Sequence, residues 1–431
     1  MRPSASTKAG APQDEIRRRN VSTLLRLVHV NGELSRADLT TLMGVNRSTI
    51  KALVHDLADA GLVVETIPET GVRAGRPSHV VVPRSDTAYV LAANLGVDNA
   101  TVAAVGLGGS INGRSEYRMP APVADHQVVI ARLADELEAL RYAMPPGSWL
   151  AGVGVGVPGA IRRADGFVEF APNLGWRGVP FGDLLSAKLG LPVRMSVGND
   201  GDLGGLSEHV RGAGRGIDHL IYLAGEVGIG GGIVIDGRVV GGAHGFAGEL
   251  GHMMVNPVGA ICRCGSRGCF ETEAGEDAVL VACGREAGAG RAALLEVFAA
   301  AQEGETQALE GLRSIAVWVA RGLSSLVSIL NPDAIILGGP LSAVFFLTGD
   351  LIRSEMESTS TSPGRAGVRL LQPGLGEDSS LLGAAELAFE PLLRDPSGPR
   401  ADATEIASPS KPAHEPLQRP RRVQASVVAR R

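Results

Sequence analysis

Apolar residues at helical spacing predict three short helices near the N-terminus. The first has one apolar face and ends at Asn31-Gly32; its inner positions are Val21, Leu24, Leu25 and Val28. Ser35 and Asp38 have the capping-box spacing of a second helix, in which Leu39 and Leu42 are expected to face inward. Asn46 is placed to cap a third helix, whose predicted inner residues are Ile50, Leu53, Val54 and Leu57.

The third helix leaves a polar outer side, and two strand-like runs follow it. That side carries Arg47, Ser48, Thr49, Lys51 and His55. The runs 62–66 and 79–82 flank a glycine- and proline-containing tip that bears Arg73 and Arg76. Residues 14–84 therefore predict a winged helix-turn-helix, with base-edge or phosphate contacts from the helix and a minor-groove contact from the tip. A three-helix protein-interaction module is the alternative.

Residues 86–392 alternate buried strands, glycine turns and helices, which is typical of an α/β fold. Strands are predicted at 89–95, 149–157, 191–197, 219–224 and 334–337, and helices at 131–142 and 312–330. Two similar strand–glycine–strand openings, at 90–105 and 220–235, indicate two related lobes, assigned to 86–205 and 206–378. Residues 1–13 and 393–431 lack periodicity and are expected to be disordered.

Charge is distributed unevenly over the 431 residues. The net charge is −5, but residues 1–84 and 393–431 each carry +4, which leaves −13 for the middle. A basic head on an acidic body favours an anionic partner for the head. We find no signal-peptide pattern and no run of about 18 apolar residues, so we expect a cytoplasmic protein without a membrane partner.

Three of the four cysteines lie close together in the sequence, shortly after a histidine. His252, Cys262, Cys264 and Cys269 form a Cys₃His set suited to a closed, structural zinc site. A redox switch is the alternative. Cys283 lies in an apolar helical run and is expected to be a core thiol.

The glycines at 230–232, the run Gly248-Glu249-Leu250-Gly251-His252 and the cysteine block through Glu271 resemble the ROK family of bacterial repressors and sugar kinases. The resemblance implies an actin-like, two-lobed sugar-kinase (ribonuclease H-like) fold behind the winged helix-turn-helix, with the C-terminal helix returning to the first lobe. It also implies zinc on the Cys₃His set. The residues that it implies face a sugar are Asn173, Asn199, Asp200, Glu249, His252 and Glu271.

Asp200 matches the catalytic base of the kinase members, whereas the phosphate loops depart from them. The resemblance implies Asp-x-Gly-Gly-Thr after the first strand, but no glycine follows Asp98; a Gly-Thr-Gly loop is replaced by Glu226-Val227-Gly228. Because phosphoryl transfer depends on positioning and charge neutralisation, we expect a non-enzymatic repressor. Its expected partners are double-stranded operator DNA and a monosaccharide effector, and it should form a homodimer or homotetramer associated with the nucleoid. A sugar kinase with a DNA-binding arm, or operator release by a protein partner, are the alternatives.

Overall fold

The computed structural model describes residues 11–67, 79–119, 125–225, 227–358 and 367–398. The N-terminal head comprises three helices and a three-stranded sheet of order β1-β3-β2. Its elements are α1 (Ala11–Asn31), β1 (Leu34–Ser35), α2 (Arg36–Met43), α3 (Arg47–Asp59), β2 (Val63–Thr66) and β3 (Val80–Pro83). The predicted caps are present: Ser35 and Asp38 form a capping box, and the Asn46 side chain accepts from Thr49 N.

Two expectations for the head were wrong. Leu42 is 57% exposed rather than inward-facing, because α2 is only eight residues long and buries a single residue, Leu39. Helix α1 begins at Ala11, inside the segment expected to be disordered, and its apolar face packs on α3 and on the C-terminal helix.

The first lobe has a five-stranded sheet of order β11-β7-β4-β5-β6. Its strands are β4 (Ala88–Leu95), β5 (Asn99–Gly106), β6 (Ile111–Arg118), β7 (Trp149–Val157) and β11 (Met195–Asn199). The strand predicted at 191–197 was partly wrong, because pairing with β7 begins only at Met195. The lobe also contains α4 (His126–Ala143), β8 (Ala160–Arg162), β9 (Phe167–Ala171), β10 (Trp176–Val179) and α5 (Phe181–Leu189).

The second lobe has a sheet of order β14-β13-β12-β15-β16. Its strands are β12 (Leu220–Gly225), β13 (Ile229–Ile235), β14 (Arg238–Val239), β15 (Ala334–Gly338) and β16 (Arg369–Leu371). In chain order, both sheets follow the same arrangement: the first strand lies centrally, between the second and the fourth. This repeated topology agrees with the two related lobes that the strand–glycine–strand openings indicate.

Helices cover the outer side of the second sheet. They are α7 (Phe270–Ala274), α8 (Glu276–Ala282), α9 (Gly290–Gln302), α10 (Thr306–Leu330) and α11 (Pro340–Ser358). By length and composition α10 could cross a membrane, contrary to the sequence expectation, but 56% of its most apolar window is buried in the protein. We therefore interpret α10 as the central core helix of this lobe.

Helices α6 (Asp200–Val210) and α12 (Ser379–Arg394) lie side by side. Helix α12 packs on β4 and β7 of the first sheet, and α6 packs on β12 and β13 of the second. Glycines allow α12 to lie close to its neighbours: a Cβ at Gly383 of α12 would lie 1.9 Å from Leu203 O of α6, and one at Gly154 of β7 would lie 2.0 Å from Ala384 O of α12. Helix α12 extends to Arg394, into the segment expected to be disordered from 393.

The head and the first lobe share one hydrophobic core. Buried residues of α1, α2 and α3 form a single cluster with Ala88 and Val90 of β4 and with Leu381 and Phe389 of α12. The head is therefore packed directly on the body, and no free linker separates them at residue 85.

Candidate functional site

A cavity of about 270 Å³ opens between the two lobes, at the N-terminal end of α6. All six residues that the resemblance assigned to a sugar site line it: Asn173, Asn199, Asp200, Glu249, His252 and Glu271. Asn173 comes from the turn between β9 and β10, Asn199 and Asp200 from the junction of β11 and α6, and the other three from the second lobe. The fold thus brings together residues that lie up to 98 positions apart in the sequence.

Asn199 positions the backbone at this junction. Its Nδ2 donates to Gly159 O at 2.9 Å, and its Oδ1 accepts from Asp202 N at 3.0 Å, which caps α6. These two bonds fix the start of the helix, so that Asp200 is held at the cavity wall.

The cavity is rich in carboxylates. Burial, together with the charge of Glu249, raises the pKa of Asp200 to about 6. Burial also raises the pKa of Glu249, against the opposing effect of His252. Carboxylate oxygens accept hydrogen bonds, so the site suits a ligand that offers several hydroxyl donors.

The predicted metal ligands converge beside this cavity. One ligand atom from each of His252, Cys262, Cys264 and Cys269 lies within 4.8 Å of all the others. Cys264 Sγ is 3.7 Å from Cys269 Sγ, and Cys262 Sγ is 3.6 Å from His252 Nδ1. A tetrahedral zinc with Zn–S bonds of about 2.3 Å requires similar separations, so this donor set fits zinc.

The electrostatics differ among the three thiols: burial raises the pKa of Cys262 and of Cys269, whereas that of Cys264 is lowered, which suits a metal ligand. Burial raises the pKa of Cys264, but the Ser266 backbone N–H and neighbouring thiols outweigh it and lower that pKa to about 7. Cys283 is fully buried away from this cluster, with Sγ 3.5 Å from Ala308 O, as expected for a core thiol.

The metal cluster and the cavity share His252 and Cys264, and Glu271 of the cavity lining contacts the cluster through Cys262. His252 directs Nδ1 toward Cys262, while its Nε2 lies 3.7 Å from Glu249 Oε2 on the cavity side. Cys262 Sγ donates to Glu271 Oε1 at 2.8 Å. Any ion bound by the thiols would therefore fix two walls of the cavity.

A second cavity, of about 170 Å³, adjoins the first through Val97, Val227 and Ser380. Among the described residues, four carboxylates line it: Asp98, Glu116, Glu276 and Glu377. Its two arginines are paired with acids: Arg114 with Asp378 at 2.5 Å, and Arg291 with Glu377. This lining is unfavourable for a polyanion. Glu226, also implicated by the sequence, lies outside the described residues.

Asp202 is a buried acid that the sequence analysis missed. It is 1% exposed; Oδ2 accepts from Arg163 at 3.2 Å, and Oδ1 has no hydrogen-bond partner among the described residues. Burial raises its pKa to about 7, with Arg163 opposing and Glu249 and Asp200 adding to the rise. The sequence offered no signal, because Asp202 resembles any acid in the first turn of a helix.

We expect Asp202→Asn to change how stability depends on pH. The folded protein holds the Asp202 proton up to about pH 7, whereas the unfolded chain loses it near pH 4, so this group's stabilisation is lost as pH rises. As the pH rises from 5 to 8, the free energy of unfolding of the variant, measured with urea, should increase by ~2–3 kcal/mol relative to that of wild type. Parallel pH profiles for the two proteins would contradict the assignment.

The predicted DNA-reading residues lie together on the outer side of α3. Arg47, Ser48 and Lys51 are exposed and Thr49 is half-buried. The Ser48 and Thr49 hydroxyls donate to Asn46 Oδ1 at 2.7 and 2.9 Å, so they remain available as acceptors. Arg73 and Arg76 lie outside the described residues, and their wing contacts remain a prediction.

The architecture defines a class: two repeated α/β lobes around a carboxylate-lined cleft, preceded by a winged helix-turn-helix. Residues 90–390 match the ROK family. The chain belongs to that family.

Relatives of two kinds are similar to this chain. The xylose repressor of Bacillus subtilis is 28% identical over 387 residues, covering 89% of this chain and 98% of the repressor. The glucokinase of Streptomyces coelicolor is 33% identical over 294 residues, covering 64% of this chain and 90% of the kinase.

The similar solved structures are likewise of two kinds, a transcriptional regulator and a glucokinase. A ROK family transcriptional regulator, described as a homolog of the E. coli MLC protein, has a TM-score of 0.71 at 24% identity and covers 88% of this chain and 98% of its own. A Streptomyces griseus ROK glucokinase bound to glucose and AMPPNP has a TM-score of 0.60 at 27% identity, covering 69% and 98%. The first comparison supports the fold over 88% of this chain, and the second over 69% of it.

Proposed function

We propose that this protein is a sugar-responsive, DNA-binding transcriptional repressor of carbohydrate uptake or catabolism genes. The observation that carries the proposal is the winged helix-turn-helix head packed through one continuous core onto a lobed body with an acceptor-rich cleft. The xylose repressor match, at 387 residues, is longer than the body alone, whereas the glucokinase match is not. Such a protein acts in the cytoplasm, at the nucleoid.

The head supplies the contact with operator DNA. Helix α3 presents Arg47 and Lys51 to a groove, where they would bond a guanine edge or a phosphate, and Ser48 and Thr49 offer acceptors. A symmetric homodimer or homotetramer would place two such helices on the half-sites of a palindrome.

The cleft supplies the sensor. Asn173, Asp200, Glu249, His252 and Glu271 would bond the hydroxyls of a monosaccharide. Zinc would be held by His252 and the three clustered cysteines; with four protein ligands its role is structural, and it would fix the loop that carries the acids.

A buried ionic network connects the sensor to the head. Helix α6 begins at the cleft and ends, about 16 Å away, at Arg211. Arg211 donates to Glu386 of α12 at 2.5 Å and to the backbone oxygen of His29 of α1 at 3.0 Å. His29 Nε2 lies 3.1 Å from Glu386 Oε2. A movement of α6 on sugar binding would therefore reach α1 through charged, buried contacts.

The test of this function measures operator affinity with and without sugar. Genomic selection with the purified protein supplies the operator, and D-xylose, D-glucose, D-mannose and N-acetyl-D-glucosamine are added in turn. At least one sugar should weaken operator binding tenfold or more. Arg47→Ala is the matched control: it should weaken DNA binding by about 1–3 kcal/mol and leave sugar binding unchanged. Unchanged operator affinity with every sugar that binds would refute the coupling.

Asp200 favours a second candidate, a ROK sugar kinase. A carboxylate with a raised pKa at a helix N-terminus beside a hydroxyl-binding cleft is suited to act as a general base. That function predicts ADP release from ATP with a hexose, lost in Asp200→Asn. The acidic second cavity argues against it, because no unpaired arginine among the described lining residues is available for a triphosphate.

A further inference from the structure

Arg263 connects the two lobes by contacting Asn173, a residue of the first cavity's lining. It lies between the two predicted metal ligands Cys262 and Cys264, in a loop closed by hydrogen bonds from Cys262 N to Ser266 O and from Gly265 N to Cys262 O. From this second-lobe loop its Nη1 donates to Asn173 Oδ1 of the first lobe at 3.0 Å. Its Nη2 lies 3.8 Å from Asp277 Oδ2.

This contact determines which way the Asn173 amide faces. A guanidinium can only donate, so the Asn173 atom that it contacts must be the oxygen. The amide nitrogen then points inward: a Cβ placed at Gly228 would lie 3.3 Å from Asn173 Nδ2 and 2.3 Å from Glu271 Oε2. Asn173 therefore presents its N–H groups to the cavity.

A donor at this position contrasts with the rest of the lining. Asp200, Glu249 and Glu271 offer acceptors, and Asn199 uses its amide on Gly159 and Asp202. Among the described side chains of the lining, Asn173 and the Nε2 side of His252 are the groups placed to donate. A bound ligand must therefore offer an oxygen as acceptor to Asn173 while it donates to the carboxylates.

We propose that Arg263 is a positioning and specificity-determining residue, which locks Asn173 as a hydrogen-bond donor to one hydroxyl oxygen of the effector. This inference rests on the proposed sugar-binding function. Without Arg263 the Asn173 amide loses its hydrogen-bonded partner and is restrained only by the repulsion that its oxygen would meet at Glu271, so it can turn its N–H groups away from the ligand hydroxyl. The sugar affinity that is lost is the part contributed by the one hydroxyl that contacts Asn173. The contacts of the other hydroxyls are unchanged.

The test is titration calorimetry on the full chain with D-xylose, D-glucose, D-mannose and N-acetyl-D-glucosamine, followed by the monodeoxy analogues of the tightest binder. Arg263→Ala should weaken that sugar about tenfold. One monodeoxy analogue should bind Arg263→Ala and wild type with equal affinity, because it lacks the hydroxyl that Asn173 contacts. Arg263→Lys, which keeps a donor, should recover most of the affinity.

Arg267→Ala is the matched control. Arg267 lies in the same loop and donates to Gly259 O at 2.7 Å, away from the cavity, so its loss should change sugar affinity less than twofold. Metal content and thermal unfolding of both variants check that the loop stays folded, and Arg263→Gln serves if Arg263→Ala does not fold.

The outcomes separate the inference from the proposed function. If wild type binds sugar and Arg263→Ala binds it and every deoxy analogue as wild type does, the inference is wrong and the proposed function stands. An equal loss for the sugar and all its analogues also overturns the inference. If wild type binds none of the four sugars, both are overturned.

Discussion

Glu386→Leu is expected to lower the free energy of unfolding by about 3–5 kcal/mol, because it leaves the Arg211 charge buried and unpaired. The Arg211 side chain is 11% exposed and that of Glu386 is 8% exposed. The pKa of Glu386 is raised by burial, but His29 and Arg211 outweigh this and lower it to about 2. Urea unfolding at pH 7 measures the loss. Glu386→Gln, which is closer in shape to the native residue, is measured as well in case Glu386→Leu does not fold.

The sign of the pH dependence follows from the lowered pKa. Glu386 is ionised in the folded protein down to about pH 2 but protonates near pH 4 in the unfolded chain, so its stabilisation is present above pH 4 and is lost as pH falls. The difference between wild type and Glu386→Gln should therefore shrink from pH 5 toward pH 2.

Glu390→Gln is the matched control for this prediction. Glu390 lies one turn further along α12 and pairs with Arg26 of α1 at 2.7 Å, but both side chains are about 40% exposed. Its loss should cost no more than about 1 kcal/mol. If the network carries the coupling, Glu386→Gln should also reduce the effect of sugar on operator affinity while Glu390→Gln does not. Equal costs for the two variants would contradict the role of the buried network.

Cys269→Ser is expected to remove the zinc and, with it, sugar binding. The apparent binding free energy of a structural zinc is on the order of 10 kcal/mol, and here it would order the loop that carries Glu249 and Glu271. Elemental analysis should give one zinc per wild-type chain and none per variant, and calorimetry should show sugar affinity at least tenfold weaker. Cys283→Ala, which changes the buried core thiol, should retain both. Retained zinc or unchanged sugar affinity in Cys269→Ser would contradict the prediction.

The outline of the site could be predicted from the sequence because its residues fall in short, dense motifs. Cys262, Cys264 and Cys269 fall within eight consecutive positions, and local turns alone bring their sulfurs near one another. Helix α3 was predictable for a similar reason, since its cap and its apolar face lie within one element. Arg263, Asp202 and Glu386 could not be assigned roles in this way, because each acquires its partner from a distant element.

The sequence by itself determined the local elements of this protein: the caps of α2 and α3, most of the central strands, and the cysteine cluster, since backbone preference and apolar periodicity act over a few residues. Only the tertiary structure decided what these elements do to one another. It packed α1 onto α12, left Leu42 exposed, buried His29 with Glu386 and Arg211, and turned the Asn173 amide toward the cavity. Burial and ionic pairing depend on which surfaces pack together. Residues 29, 211 and 386 come from three distant parts of the chain, and only the complete tertiary fold brings them into contact.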